Sequence, residues 1–137
     1  TGVFDVVLSH NRYTLVSRTA EPVFRAAREH GMTVLNAAPF GGGTLANGDD
    51  TFGYRPMPDD FAAHLGRVRD LAGEHGVDLA AAALHFSMRS PLVDATVVGI
   101  TSTARLDALA LLIEAEIPAE FYDAVEALGA PPAGVED

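Results

Sequence analysis

Three stretches place polar or conformationally permissive residues directly after short apolar runs: Ser9-His10-Asn11-Arg12-Tyr13, Ala38-Pro39-Phe40-Gly41-Gly42-Gly43 and Ile100-Thr101-Ser102-Thr103. In parallel α/β sheets the ligand lies at the carboxyl ends of the strands, so chemistry is expected at these three. Gly99 to Arg105 brings backbone amides, hydroxyls and one guanidinium to the start of a helix. That set suits a phosphate, through unsatisfied amides, the helix dipole and a fork-shaped donor. A plainer reading stays open, in which Thr103 caps its helix and Arg105 pairs with a surface carboxylate such as Asp107. Glycines 41 to 43 let a backbone approach a ligand closely or take positive φ, although a flexible surface loop would also use them. The run is neither a GxGxxG opening a helix nor a P-loop, because no lysine and no helical pattern follow it. Residues 44 to 57, with Asn47-Gly48-Asp49-Asp50 and Tyr54-Arg55-Pro56, read as a long excursion without periodicity, more often a lid or binding loop than a connector.

Of the five histidines, His10 alone stands at a strand end, beside Ser9 and Asn11, where it could touch a substrate. His30 and His75 fall at helix carboxyl ends, where a partly protonated ring suits the dipole. His64 and His85 lie inside helices without a second ligand at metal spacing, so they read as surface or satisfied core groups and no metal site is expected. No Ser/His/Asp order and no carboxylate pair stands out, and no catalytic residue is assigned. All nine basic residues are Arg, which removes a Schiff base, a lysine-assisted acid and a P-loop lysine. Zero cysteine removes disulfides, thiol nucleophiles and the usual structural zinc sites. A formal net charge of -10 repels phosphate backbones, so nucleic acid is not an expected partner, whereas local dipoles could still hold one nucleotide. Neither a run of about eighteen apolar residues nor a basic leader is readable, and cytoplasm is the expected compartment.

The elements that must position these stretches follow from periodicity. Residues 3 to 8, 32 to 37 and 95 to 99 are nearly continuous apolar runs, the pattern of parallel strands covered on both faces. Helices are expected from near Thr19, as its cap, to Gly31; over 58 to 75, with Phe61, Leu65, Val68 and Ala72 on one face; and after Asp78, with a stripe of Leu79, Ala83 and Phe86. Two more follow the third strand, one with Leu106, Leu109, Ala110 and Ile113, the other behind Pro118 with Phe121, Val125 and Leu128. Strand, helix, strand, two helices, strand, two helices gives an α/β fold with parallel crossovers. Three strands make either a small open sheet or a segment of a larger sheet or barrel. Residues 131 to 137 are expected to fray.

Taken together in order and spacing, these stretches resemble the aldo/keto reductases, in particular the branch of fucose, galactose and threo-aldose dehydrogenases. Phe4 to Leu15 resembles that family's sixth barrel strand and following turn, and Val34 to Gly43 its seventh strand and cofactor loop. Leu79 to Arg89 is similar to the helix before the last strand, and Thr96 to Arg105 to the eighth strand with its dinucleotide-phosphate loop. The resemblance implies the last three β/α units of a TIM-type (β/α)8 barrel over residues 1 to 130. It further implies NADP or NAD as cofactor and a carbonyl or sugar hydroxyl as substrate. In this family the first half of the barrel supplies the Asp, Tyr, Lys and His of proton transfer, so this chain would carry cofactor loops without catalytic residues. By position, Ala38, Pro39, Phe40, Gly41 and Gly42 would line the pyrophosphate path, and Ile100, Thr101, Ser102 and Arg105 would hold the adenosine end. Departures are Ala37 where many members stack an aromatic ring on the nicotinamide, and Val7 where many place a glutamine against the carboxamide. Gly99 replaces a phosphate-binding lysine, and Ala108-Leu109 a polar adenine contact. The expected partners are thus the dinucleotide, a small substrate, and either the missing barrel half or a second copy pairing through exposed strand edges. A non-catalytic α/β interaction module with a degenerate cofactor site is the competing reading.

Overall fold

The computed structural model describes residues 2 to 132. Positions 133 to 137, most of the expected tail, lie outside them. In chain order the elements are β1 (Val6–His10), α1 (Glu21–Glu29), β2 (Thr33–Ala37), a 3-10 turn (Gly41–Gly43), α2 (Thr44–Asn47), β3 (Thr51–Phe52) and β4 (Arg55–Pro56). These are followed by α3 (Asp59–Glu74), α4 (Leu79–Met88), β5 (Ala95–Val97), α5 (Thr103–Glu114) and α6 (Ala119–Ala127). Strands β1, β2 and β5 form one parallel sheet in the order β1-β2-β5, with Leu8 opposite Leu35 and Ala37 opposite Val97. The helical connections expected between parallel strands are present, and the α/β class stands.

Alternation along the strands sorts the sheet into two faces. Val7, Val34, Asn36 and Thr96 point toward α1 and α4, where Tyr13, Ala20, Phe24 and Ala27 join Val34 in a core with Phe86 beside it. Asn36 ties this layer together. Its side-chain amide donates to the Tyr13 carbonyl and to Ser87 Oγ, both at 2.8 Å, and Ser87 Oγ lies 2.6 Å from Thr96 Oγ1. A second core joins Leu15, Val16, Leu45 and Phe52 to Phe61, Leu65 and Val68 of α3 and Phe121 and Val125 of α6. The rings of Phe24, Phe61 and Phe121 are fully buried, each contributing about 1.5–3 kcal/mol relative to exposure.

The opposite face carries Val6, Leu8, Leu35, Ala95 and Val97, and no helix of the described residues lies over it: Leu8 is 53% and Val97 42% exposed. The apolar runs were expected to be covered on both faces; this chain covers one. β1 and β5 also end the sheet on either side, each bonded to β2 alone.

Several boundaries differ from the sequence reading. The first strand starts at Val6 rather than Val3, because its partner strand begins where Thr33 N donates to the Asp5 carbonyl at 2.8 Å. Val3 and Phe4 are therefore exposed. The third ends at Val97, where β2 ends opposite it. Helix α1 starts at Glu21 with Ala20 at its N-cap, and Thr19 Oγ1 instead donates to the Arg12 carbonyl at 3.3 Å. Asp78 does cap α4, accepting from the amides of Ala80 and Ala81. Residues 44 to 57 are not shapeless: α2 and the antiparallel β3–β4 ribbon occupy them. The α5 stripe is not fully buried: Leu106 is 53% and Ile113 45% exposed, although α4 packs against the helix through His85, whose Nε2 meets the Leu112 carbonyl. No described helix is long and apolar enough to cross a membrane.

Candidate functional site

The three strand ends converge. Beyond the ladder, Asn11 N donates to the Ala37 carbonyl and Ala38 N to that of Val97, both at 3.2 Å, so the exits from β1, β2 and β5 remain stitched side by side. Asn11 and Ala38 make these exits with φ of 62° and 56°, the left-handed region that non-glycine residues adopt only where the surroundings compel it. A cavity of about 630 Å3 opens at these exits, within the usual size of a small-molecule or cofactor cleft.

Its floor is Ala37, Ala38 and Val97, one wall is Ala108, Leu109 and Leu112 of α5, and the other is Pro39, Phe40, Gly42 and Gly43 with Ala46 and Asn47 of α2. His10, Tyr54, Ile100 and Arg105 stand around it. The lining is mostly apolar, and among the described residues Arg105 is its one permanent cation.

Each wall has a local cause. The 3-10 turn runs through φ of 63°, 74° and 111° at Gly41, Gly42 and Gly43. A Cβ on Gly41 would lie 2.4 Å from the Phe52 ring, and one on Gly42 would lie 3.3 Å from Tyr54 N. The glycines thus let the β3–β4 ribbon dock on the loop, helped by Gly53 N donating to the Gly41 carbonyl at 3.0 Å. This is a packing role that the sequence reading left between close ligand approach and a flexible loop. At the other end Ser102, not Thr103, caps α5, its Oγ accepting from Arg105 N at 3.3 Å. No ion pair links Arg105 to Asp107 among the described residues. Arg105 lines the cavity at the positive end of a twelve-residue helix dipole.

Of the residues singled out from sequence, His10, Ala38, Pro39, Phe40, Gly42, Ile100 and Arg105 line this one cavity. Gly41 is buried beneath it, and Thr101 and Ser102 are exposed beyond the lining. Asn47 and Tyr54 belong to the excursion read as a lid or binding loop and Ala108-Leu109 to the position of an adenine contact, whereas Ala46 and Leu112 were not singled out. Gly53-Tyr54 between Phe52 and Arg55 is the signal that a two-residue hairpin turn would have offered. The other histidines lie elsewhere. His30 Nδ1 sits 2.8 Å from the Ala26 carbonyl, and His85 Nε2 lies 3.0 Å from that of Leu112. His64 is buried on α3, its Nε2 without a hydrogen-bond partner. Burial, with Arg67 and Arg18 near, lowers its pKa. Among the described residues no group of three or more His, Asp or Glu is placed to hold a metal ion.

The sequence profile of the aldo/keto reductase family matches residues 1 to 130. The chain is 31% identical over 129 residues to pyridoxal 4-dehydrogenase of Microbacterium luteolum, a match covering 91% of the chain and 38% of that enzyme. It is 33% identical over 123 residues to D-threo-aldose 1-dehydrogenase of a Pseudomonas species, covering 86% of the chain and 37% of that enzyme. An aldo-keto reductase from Bacillus halodurans in its apo form superposes with a TM-score of 0.66 at 22% identity, over 90% of this chain and 43% of that one. Its holo form gives 0.65 at 21%. The chain thus spans less than half the length of the proteins it matches, and its parallel sheet and helices correspond to part of their barrel. On the profile match and these relatives together, the chain belongs to the aldo/keto reductase family.

Proposed function

We propose that this chain forms the last three β/α units of a (β/α)8 barrel, over residues 1 to 130, and carries part of the nicotinamide-dinucleotide site of an oxidoreductase. The observation that carries this reading is the convergence of three strand exits on one apolar cavity with Arg105 and the α5 amino terminus at its side. The residues fit such a cofactor. Helix amides and a guanidinium suit phosphate oxygens, apolar walls suit flat rings, and the cavity is large enough to enclose much of a dinucleotide.

In this reading Ala38, Pro39, Phe40, Gly41 and Gly42 follow the pyrophosphate, while Ile100, Thr101, Ser102 and Arg105 hold the adenosine end. When bound, NADP or NAD supplies hydride exchange with a carbonyl or a sugar hydroxyl. The chain's own residues bind and orient: the apolar floor of Ala37, Ala38 and Val97 excludes water, and His10 faces the substrate side. No lysine is present, and the proton-transfer residues belong to barrel strands outside this chain. The open sheet face of Val6, Leu8 and Val97 is where those strands would pack; pairing with a second copy is the alternative tested below. The absence of cysteine agrees with a reducing cytoplasm.

Calorimetric titration of the chain with NADPH and NADH tests the reading. Binding is expected, weakened about tenfold or more by Arg105→Gln through loss of a charge-assisted bond. No turnover is expected with sugars or aldehydes, and sedimentation distinguishes a monomer from a self-paired dimer. Absence of binding, even with the remaining strands supplied, would remove the assignment; robust turnover by the chain alone would refute the half-barrel.

A further inference from the structure

Asn47 is followed by Gly48, and the pair closes α2 at the rim of the cavity. The chain has three asparagines, and the other two precede Arg12 and Ala37. Glycine leaves its backbone amide more open to a preceding side-chain carbonyl carbon than any other residue, because it has no Cβ to block the approach. The three differ in burial as well. Asn11 is 9% and Asn36 0% exposed, and the Asn36 amide is bonded to Tyr13 and Ser87. Asn47 is exposed, and no hydrogen bond holds its carboxamide among the described residues.

The fold around Asn47 permits the rearrangement that an attack on its side chain requires. Ring closure needs Asn47 to leave the helical conformation so that Gly48 N reaches its Cγ. Helix α2 is a single turn of four residues, far below the length at which a helix holds itself together, so opening its last residue costs little. Gly48 stands at φ 78° with nothing within 4 Å of the position a Cβ would take, which leaves room for the backbone to turn. The product also has somewhere to act. Asn47 Nδ2 and Asp49 Oδ2 both lie over Gly43, and Asn47 shares the cavity lining with Arg105.

We infer that Asn47 is a self-modifying site at the cavity rim. Gly48 N attacks Asn47 Cγ and loses its proton to solvent base. The Cγ–Nδ2 bond breaks, the departing nitrogen takes up a proton and leaves as ammonia, and water opens the resulting cyclic imide to aspartate or isoaspartate. Water is the one co-reactant, and nothing is oxidised or reduced. The new carboxylate meets that of Asp49 over Gly43 and stands on the same rim as Arg105, so the cavity becomes less hospitable to anions. The reaction is independent of the dinucleotide reading, and its effect on binding rests on that reading.

The test is peptide mapping by mass spectrometry of the 137-residue chain held in mildly alkaline and mildly acidic buffer, both folded and in guanidinium. A gain of one dalton at Asn47, with release of ammonia, is expected in the alkaline buffer, while Asn36 of the folded chain stays unchanged. The folded rate at Asn47 is expected to lie within about tenfold of the unfolded one. Gly48→Ala is expected to slow the gain about tenfold or more. The same slowing is expected in guanidinium, so the comparison holds even for a variant that folds poorly. No gain at Asn47 in the folded chain, or equal rates at Asn36 and Asn47 there, overturns the site. Calorimetry with NADPH reads the consequence: Asn47→Asp is expected to bind about threefold to tenfold more weakly than the wild type at low salt, and the difference to shrink at high salt. Equal affinities would overturn the effect on the cavity. If the wild type binds no NADPH while Asn47 still converts, the dinucleotide reading falls and the modification stands.

Discussion

His64 offers a quantitative test of how this half-barrel is held together. It is 1% exposed on the buried face of α3, between Phe61 and Val68, and its Nε2 has no partner. A buried polar atom without a hydrogen bond costs about 1–3 kcal/mol. Arg67 on the same helix and Arg18, itself paired with Glu126 at 3.0 Å, act with burial to hold the ring neutral. The sign follows directly. The unfolded ring takes up a proton near the ordinary value of 6.5 and the folded ring only at lower pH, so the unfolded state binds more protons between those limits. The stability this group contributes is fully present above pH 6.5 and is lost as pH falls toward the folded value, by at most about 1.4 kcal/mol per unit. His64→Leu removes both the unpartnered nitrogen and the titration. In urea melts at pH 7.5 and 5.5 the wild type is expected to lose more than the variant, by at most about 1.4 kcal/mol, and the variant to be at least as stable at pH 7.5. The double difference cancels the four histidines common to both proteins. Equal acid losses would refute the account of the buried ring, and a variant destabilised by more than about 1 kcal/mol at pH 7.5 would show that the imidazole makes a bond worth keeping.

Two further outcomes bear on the frame and the site. Asp94 accepts from Val34 N at 2.7 Å and from Arg28 at 2.6 Å, and both contacts hold its carboxyl below the ordinary 3.8. Its contribution is present above that value and lost as pH falls through the folded one, so Asp94→Asn is expected to lower Tm at pH 7 and to flatten the acid limb of a Tm-against-pH curve; an unchanged Tm would mean that the amide replaces both bonds. Gly41→Ala forces a Cβ into the Phe52 ring at a positive φ. It is expected to cost about 1–3 kcal/mol and to weaken NADPH binding as the ribbon shifts, which a thermal melt and a titration of the same sample would read.

The class of fold was legible because continuous apolar runs and helical stripes are local signals, and each strand of the parallel sheet and each long helix lies within a few residues of where they put it. Boundaries were less legible because pairing sets them: nothing near Val3 shows that β2 has no residue to offer it. The ribbon at residues 51 to 56 escaped because two-residue strands are too short for a pattern to register, so Tyr54 was read only as part of a binding loop. The coverage of the sheet was misread for a different reason. A run such as Val6 to Leu8 records that both faces meet apolar neighbours, but not whether those neighbours belong to the same chain. The stripe on α5 carries the same ambiguity, and its Leu106 and Ile113 are exposed here. His64 shows a further limit, since a histidine on a helix reads alike whether it faces water or phenylalanine.

On the proposal that complementary strands settle on Val6, Leu8 and Val97, thermal resistance becomes a property of the mixture rather than of the polypeptide. Such strands would favour the native form by mass action, so the melting temperature would climb with their concentration and fall on dilution.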